Sequence, residues 1–487
     1  MNLTAAQLDR ACGAVLGSAV GDALGAAYEF DLLEVGPEGP RMLGGGLGNF
    51  APGEWTDDTA MAWCILAVAA AGADLRTEEA LTEIARRFHA WYETGPADMG
   101  SQTRAILSAA GSRPTASGMT TAARRFHART GRSGGNGSLM RTAPVALAHL
   151  DDPDAVATAA RRISALTHPD PQAQDACVLW SLAIRHAVLR GEFDVRAGLA
   201  HLDSRAATLW SGRLTEAERS APSTFRPNGW VVTALQAAWS AIVHTPAPAA
   251  QGCRQLADGL ATAVRIGDDT DTVAAIAGAL LGARWGASAV PAAWRRISHG
   301  YPGLTGERLV ELAHLAADGP NPYGWPKVSR IDYPAYLEPP TLVPHPHDAG
   351  VWLADAQALN RLPDDVTAVV SLCQVGREQV PPGIEHVPFR LIDRPEPDAN
   401  PNLDFVLTDA AATIAALRDE GHVVLVHCVA AQSRTPTVGI AYSLLRGLEP
   451  AVAVEEIGRA LPLAWPNPGF REALRRLSRA GEPWSSR

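Results

Sequence analysis

Two short stretches concentrate carboxylates and hydroxyls. Arg265-Ile-Gly-Asp-Asp-Thr-Asp-Thr272 sets three acids and two threonines in five residues, directly before the apolar run Val273 to Ala283. Trp55-Thr-Asp-Asp-Thr-Ala60 repeats the chemistry far upstream, ahead of the run Met61 to Ala73. Each reads as a helix start, where free N–H groups and the helix dipole favour anionic side chains. Taken singly, such acids are caps. Brought face to face by folding, they would repel one another unless cations sat between them. Oxygen-only ligands at that density suit magnesium, manganese or calcium rather than zinc.

A different chemistry is written in Val426-His-Cys-Val-Ala-Ala-Gln-Ser-Arg-Thr-Pro436. The pattern predicts a strand ending at Cys428, a tight loop, and a helix beginning near Pro436, a residue favoured in first turns. Loop N–H groups gathered at a helix N-terminus form an anion cradle, and the same field favours the nucleophilic thiolate. Arg434 can grip two phosphate oxygens at once, and Thr435 can assist the thiolate as leaving group. The plain alternative is an inert buried cysteine with an unrelated arginine.

Other candidates lie between these. Residues 5–27 read as a helix rich in small residues that can pack closely on others. Asp22 within it needs a partner and is read as a hydrogen-bonded structural acid, whereas Glu29 follows the helix and can reach into a cleft. Asp98 stands just before a further helix. The segment Gly131-Arg-Ser-Gly-Gly-Asn-Gly-Ser-Leu-Met-Arg141 lets backbone amides at Gly134, Gly135, Asn136, Gly137 and Ser138 approach a ligand, phosphates included. His168 is either a hydrogen-bonded loop histidine or a ligand contact.

The elements that must position these groups divide in two. From the first acidic cluster to about residue 317 the periodicity is helical, as at 77–93, 153–166, 171–190, 229–243 and 305–317, with no sustained β-alternation. Prolines crowd the stretch after Ala316, which reads as a linker or extended wrap. Beyond it, β-branched runs at 366–371, 384–389 and 422–426 alternate with helical segments near 354–361, 403–419, 437–447 and 468–479. The expectation is therefore a multidomain chain: an all-α domain over 1–320, a proline-rich linker over 321–345, and a small α/β domain with a mainly parallel sheet over 346–487.

Composition limits the functions open to this chain. Its 487 residues exceed what one core usually spans. A formal charge of −10 without a Lys/Arg run gives no footprint for a phosphate-backbone partner, so nucleic acid is not expected. Six scattered cysteines with no C-x-x-C suit a reducing cytoplasm. The N-terminus lacks the basic region of a signal peptide, and the longest unbroken apolar run, Met61 to Ala73, is too short to span a bilayer, so no membrane association is expected.

Taken together, Gly21-Asp-Ala-Leu-Gly with Glu29, Thr56-Asp57-Asp58, Asp98-Met-Gly, Asn136-Gly-Ser-Leu-Met-Arg141, Thr167-His168 and Asp269-Thr-Asp271-Thr272 resemble, in order, the ADP-ribosylglycohydrolase family. The resemblance spans about residues 5–317. It implies an all-helical fold, removal of ADP-ribose from modified proteins or small conjugates, and a dinuclear magnesium or manganese site. The implied metal ligands are Thr56, Asp57, Asp58, Asp269, Asp271 and Thr272. Asp98 and Glu29 would activate water or shape the site, while the loop 134–138 and His168 would hold the phosphates and base side. Asp268, where many relatives have glycine, is assigned to the helix start or to support of the ligands. The stretch around Cys428 resembles the C-x5-R signature of cysteine phosphatases of the dual-specificity type, over about residues 345–487. That implies a phosphorylated substrate, no metal, a phosphocysteine intermediate, and an Asp general acid, best Asp393 and next Asp398. Ala431 departs from the glycine usual there, which would cost a Cβ at positive φ. A domain that binds ADP-ribose or phosphate without turnover, and a hydrolase acting on ADP-ribosylated nucleic acid or nucleotide, are the competing readings.

Overall fold

The structure, a computed structural model, describes residues 2–334 and 340–479. It divides into two compact units, Met1–Val290 with Trp294–Gly319, and Pro320–Arg487 with Pro291–Ala293.

The first unit is built on helices. Helix α1 (Ala5–Gly25) starts at a capping box, in which the Thr4 hydroxyl accepts from Gln7 N and the Gln7 side chain accepts from Thr4 N. Gly13, Gly17, Gly21 and Gly25 recur every fourth residue and so form one stripe. Against that stripe lie Gly282, Gly278, Ala274 and Asp271 of a second helix, Thr270–Trp285. A Cβ added at Gly21 would fall on the Ala274 carbonyl, and one at Gly25 on the backbone of Asp271. The two helices therefore meet backbone to backbone, which places Asp22 beside Asp271. Three further helices carry site residues or flank them: α2 (Asp57–Ala70), α3 (Ser101–Ala110) and α4 (Val231–Val243). Thr270–Trp285 is α5. Among the described residues, strand structure in this unit is a two-residue antiparallel pair, His299–Gly300 with Leu304–Thr305.

One expectation about α1 needs correcting. With the turn that follows it, the segment Ala5–Asp31 is long and apolar enough to cross a membrane by length and composition alone. Counting unbroken apolar runs missed it, because Asp9, Arg10 and Asp22 interrupt the run without lowering its mean hydropathy enough. In the structure the most apolar part of this segment is wholly buried within the unit.

The second unit contains a five-stranded sheet. Its strands are β1 (Leu342–His345), β2 (Asp348–Ala354), β3 (Ala368–Ser371), β4 (Glu385–Pro388) and β5 (Val424–His427), in the order β1-β2-β5-β3-β4. Only β1 with β2 is antiparallel. Alternation along the strands serves two covered faces, as parallel sheets require: Val351, Leu353, Val424 and Val426 enter one core, Leu425 and Val369 the other. Helices α6 (Leu403–Asp419), α7 (Arg434–Leu445), α8 (Pro450–Ala460) and α9 (Pro468–Arg479) complete it.

The expected linker is mostly not one. Leu342–His345 is a sheet strand, and the Gln379 side chain accepts from Ile331 N at 2.9 Å and donates to Ile331 O at 3.1 Å. The Tyr333 hydroxyl donates to Gln374 O at 2.8 Å. Prolines there deny ladder donors but do not prevent side-chain anchoring. Residues 335–339 and the C-terminal 480–487 of the predicted regions lie outside the described residues.

Candidate functional site

In the first unit the two acidic clusters converge. Thr56 is the N-cap of α2, yet its side chain does not cap. Asp22 of α1 does this instead: one carboxylate oxygen accepts from Thr56 N at 2.9 Å, the other from Thr59 N at 2.9 Å and the Thr59 hydroxyl at 2.6 Å. This frees the Thr56 hydroxyl to lie 3.1 Å from Asp58 Oδ2 and 3.4 Å from Asp271 Oδ2. The Thr272 hydroxyl is 3.4 Å from the same Asp58 oxygen. Asp22, Asp58 and Asp271 bring carboxylate oxygens within 4.8 Å of one another, and so do Glu29, Asp98 and Asp271. Asp269 Oδ2 accepts from Asn136 Nδ2 at 2.7 Å, while Asp57 Oδ2 accepts from Gly100 N at 3.3 Å.

Electrostatics at this centre are those of crowded, buried acids. Burial, then Asp98 and Asp269, push Glu29 up to about 9; burial, then Asp98 and Asp22, push Asp57 up to about 8. Burial and neighbouring acids hold Asp58 and Asp271 well above the carboxylate range. Asp22 rises to only about 6, since its donors from Thr56 and Thr59 offset part of the burial. Asp58 Oδ1 is buried with no hydrogen-bond partner. An orphaned carboxylate oxygen facing an oxygen-only donor set fits a hard divalent cation.

Residues that the sequence reading passed over hold this centre in place. The Asn228 side chain accepts from Asp269 N at 2.9 Å and donates to Gly267 O at 3.0 Å. Arg226 donates to both oxygens of Asp268, at 2.8 and 3.0 Å, and to Asp31 at 2.7 Å. Asp268 is thus an ion-pair partner at the helix start, not a member of the carboxylate group. The only sequence signal for Arg226 and Asn228 is a polar Pro-containing loop, which is common.

The glycine-rich loop lies beside the centre, with Gly134 O accepting from Val231 N at 2.9 Å and Asn136 N donating to Gly229 O at 3.2 Å. A Cβ at Gly137 would meet the His168 ring at 3.1 Å. The His168 and Ser138 side chains lie under this loop. His168 is buried beneath the loop, pushed down to about 3 by burial, and paired through Nδ1 with the Thr167 hydroxyl at 2.8 Å. Ser138 is buried too, its hydroxyl accepting from Ser164 Oγ at 3.0 Å. Both side chains support the loop from behind; residue type alone cannot say which side of a loop a group takes. Arg141, also buried, donates to Thr167 Oγ1 at 2.7 Å and stands over the Phe88 ring. Trp230, bridged to Gly135, keeps its ring half exposed, with the Arg213 guanidinium 5.5 Å away.

The second unit forms the expected strand–loop–helix. Strand β5 ends at His427, Cys428 is buried, and α7 begins at Arg434. Arg434 Nη1 donates to Leu372 O and Leu391 O, each at 3.2 Å, leaving its buried Nε without a partner. Asp393 Oδ1 accepts from Ser433 Oγ at 2.7 Å and Asn467 Nδ2 at 2.9 Å, with Oδ2 3.9 Å from Arg434 Nε. Asp393 therefore stands at the loop, while Asp398 lies in the exposed turn Pro397–Ala399. Ser433 and Asn467 are the anchors that sequence reading missed. Thr435 departs from its assigned role: its hydroxyl donates to Ala354 O at 3.1 Å, so its one proton is not directed at Cys428. Ala431 sits at φ 56, in the left-handed region expected for a glycine.

A helical unit with acids gathered at two helix starts is joined in one chain to an α/β unit with a Cys–Arg loop. The ADP-ribosylglycohydrolase family pattern matches residues 3–323, and the chain belongs to that family. It is 31% identical over 294 residues to the ADP-ribosylarginine hydrolase Tri1 of Pseudomonas putida (strain GB-1), covering 59% of this chain and 73% of that one. It is 29% identical over 293 residues to the ADP-ribosyl-[dinitrogen reductase] glycohydrolase of Rhodospirillum rubrum, covering 59% and 89%. Over another 135 residues it is 33% identical to human dual specificity phosphatase 28, covering 27% of this chain and 74% of that one. The chain thus joins an ADP-ribosylglycohydrolase domain to a dual-specificity-phosphatase-like domain.

Proposed function

We propose that this chain is a bifunctional hydrolase, removing ADP-ribose from modified proteins or small conjugates with its first unit and cleaving phosphomonoesters with its second. The observation that carries the first reading is the convergence of carboxylate oxygens of Asp22, Asp58 and Asp271, with Asp58 Oδ1 buried and left without a hydrogen bond. Thr56, Asp57, Asp58, Asp269, Asp271 and Thr272 would hold two divalent cations, magnesium or manganese, whose chemistry when bound is to polarise a water and the ribose hydroxyls. Asp98 and Glu29, whose carboxylate oxygens lie within 4.8 Å of one of Asp271, would activate water or shape the site around the oxocarbenium-like state at C1″. The N–H groups of Gly134, Gly135 and Gly137 line the approach for the pyrophosphate, with Trp230 beside them. Asn136 fixes Asp269 relative to that loop.

For the second unit, the Cys428 thiolate attacks phosphorus, forming an S–P bond as the P–O bond to the leaving group breaks; Asp393 supplies that oxygen with a proton. Water then releases phosphate and restores the thiolate. Arg434 at the start of α7, its Nε without a hydrogen bond and 3.9 Å from Asp393 Oδ2, supports phosphate capture. Ala431 in the left-handed region, with Thr435 turned to Ala354, favours a second reading for this half, phosphate binding with weak turnover.

Release of ADP-ribose from an ADP-ribosylated protein tests the first activity, with chelator and then added magnesium or manganese. Thermal melting under the same conditions gives a readout independent of turnover. Unchanged melting and unchanged release on chelation would remove the metal centre. Phosphate release from ADP-ribose-1″-phosphate and from a phosphotyrosine peptide, wild type against Cys428→Ser, tests the second. Equal release by both proteins would remove the phosphatase activity.

A further inference from the structure

One aromatic ring of the second unit stands in water at the edge of the Cys–Arg loop. Trp465 is 71% exposed, although the chain on either side of it is firmly held. Its backbone N–H donates to Gln432 O at 2.6 Å, within the loop that runs from Cys428 to Arg434. Before it, Ala464 packs against the core of the unit. Two residues after it, Asn467 N donates to Ser433 Oγ at 3.2 Å, and Asn467 Nδ2 to Asp393 Oδ1 at 2.9 Å. The backbone is thus fixed to the loop while the ring buries little, and so large an exposed aromatic gains little from folding. The Arg471 guanidinium, from α9, lies 5.0 Å from the ring centroid. Its neighbour Glu472 pairs instead with Arg475, at 3.0 Å.

We propose that Trp465 and Arg471 form a base-binding subsite beside the Cys–Arg loop, selecting phosphomonoesters carried by a purine nucleotide. The proposal rests on the phosphomonoester cleavage read above for the second unit and names its substrate class. A purine stacks on an open indole face, and a guanidinium against the same ring adds cation–π attraction and donors for a further phosphate oxygen. In a nucleotide a ribose separates base from phosphate, so the base can reach the rim while the phosphate occupies the loop. Phosphoserine and phosphothreonine carry no planar group. The ring of phosphotyrosine is joined to phosphorus through one oxygen and must follow its phosphate into the loop, which leaves the rim unused. The first unit is read above as acting on an adenine-bearing group, so both halves of the chain would take purine nucleotides.

The test uses the full chain and a matched pair, adenosine 5′-monophosphate and ribose 5-phosphate, with a phosphoserine peptide free of aromatic residues as the third substrate. Phosphate release gives kcat/KM, and calorimetry on Cys428→Ser gives dissociation constants where turnover is slow. Both should favour the adenosine compound over ribose 5-phosphate roughly five- to fiftyfold, the range for one base stacked on an aromatic side chain. Trp465→Ala should bring the two constants together by weakening the adenosine one, and Trp465→Phe should restore part of the difference. Arg471→Gln should shrink it. Equal constants without these substitutions, or a difference that survives Trp465→Ala, overturns the proposal while leaving phosphomonoester cleavage standing. A peptide preferred over the nucleotide, with that preference lost in Trp465→Ala, overturns it as well and makes the ring a polypeptide contact. Neither release nor binding of any of the three removes the underlying activity and this subsite together.

Discussion

Replacing Gly21 by alanine tests whether backbone contact between α1 and α5 builds the acidic centre. In a helix interior this exchange ordinarily stabilises by about 1 kcal/mol. Here the added methyl would fall on the Ala274 carbonyl, and no flexible side chain can yield to it. Overpacking a filled core costs about 1–3 kcal/mol, and contact with rigid backbone puts Gly21 at the top of that range. Subtracting the propensity gain leaves a net loss of about 2 kcal/mol, or a fall of roughly 3 °C in the melting temperature of a helical unit of this size. The control is Gly212→Ala, in the helix Ser204–Arg219, where an added Cβ meets nothing within 4 Å. That exchange should raise the melting temperature by about 1–2 °C. Scanning calorimetry of the full chain in chelator separates the two, and release of ADP-ribose should fall for Gly21→Ala only, because Asp22 is its neighbour. A Gly21→Ala protein that melts at or above the wild-type temperature would refute the reasoning.

Four more outcomes follow from the same geometry. Asp22→Ala removes three hydrogen bonds, two of them at the start of α2, and should cost about 2–4 kcal/mol in urea unfolding, with weaker magnesium binding by titration. Asp58→Asn should melt no lower than wild type in chelator, having one buried ionisable group fewer, yet lose the rise in melting temperature that magnesium should give wild type. In chelator, stability should fall as pH rises: the folded-state values of Glu29 and Asp57, about 9 and about 8, lie above the ordinary 4.5 and 3.8, so the folded state binds the extra protons. Their contribution is complete below pH 4 and lost by about pH 9; melting curves across that window should slope downward, and magnesium should flatten them. Ala431→Gly exchanges relief of about 1–2 kcal/mol of left-handed strain for about 0.4–1 kcal/mol of unfolded-chain entropy. Its melting temperature should therefore move little, while phosphate release rises; unchanged release would mean that this strain does not limit the loop.

What could be read from the chain was what lies in short, type-rich segments. Thr56, Asp57 and Asp58 announce a helix start and a ligand set together, as do Asp269, Asp271 and Thr272, and the fold brings these residues together. The Cys428–Arg434 spacing is equally local, and the need for positive φ at residue 431 followed from one missing glycine. What escaped is whatever depends on facing. His168 has the right type for a ligand contact, but its side chain is buried beneath the loop, since burial is decided by residues far away in sequence. Strand β2 was missed because Asp348-Ala-Gly opens it with poor strand formers; its pairing with β5 outweighs that propensity. Asn228 reaches Asp269 across 41 positions, which no local pattern can encode.

Both centres use helix N-termini, and the charge in the first turn decides what each can hold. Helices α2 and α5 open with Asp57, Asp58 and Asp271, so their positive ends already face carboxylates. The dipoles ease the negative charge there, yet burial and mutual repulsion still push these acids upward, a balance that the proposed cations would complete. Helix α7 opens with Arg434, Thr435 and Pro436 and carries no acid in its first turn. Its positive end is left for an incoming anion, beside a guanidinium whose Nε makes no hydrogen bond. One secondary-structure device thus yields opposite electrostatic demands, and the sign follows from two or three residues at each helix start. Moving an acid into the first turn of α7, as in Thr437→Asp, should therefore abolish phosphate capture even with Cys428 and Arg434 intact.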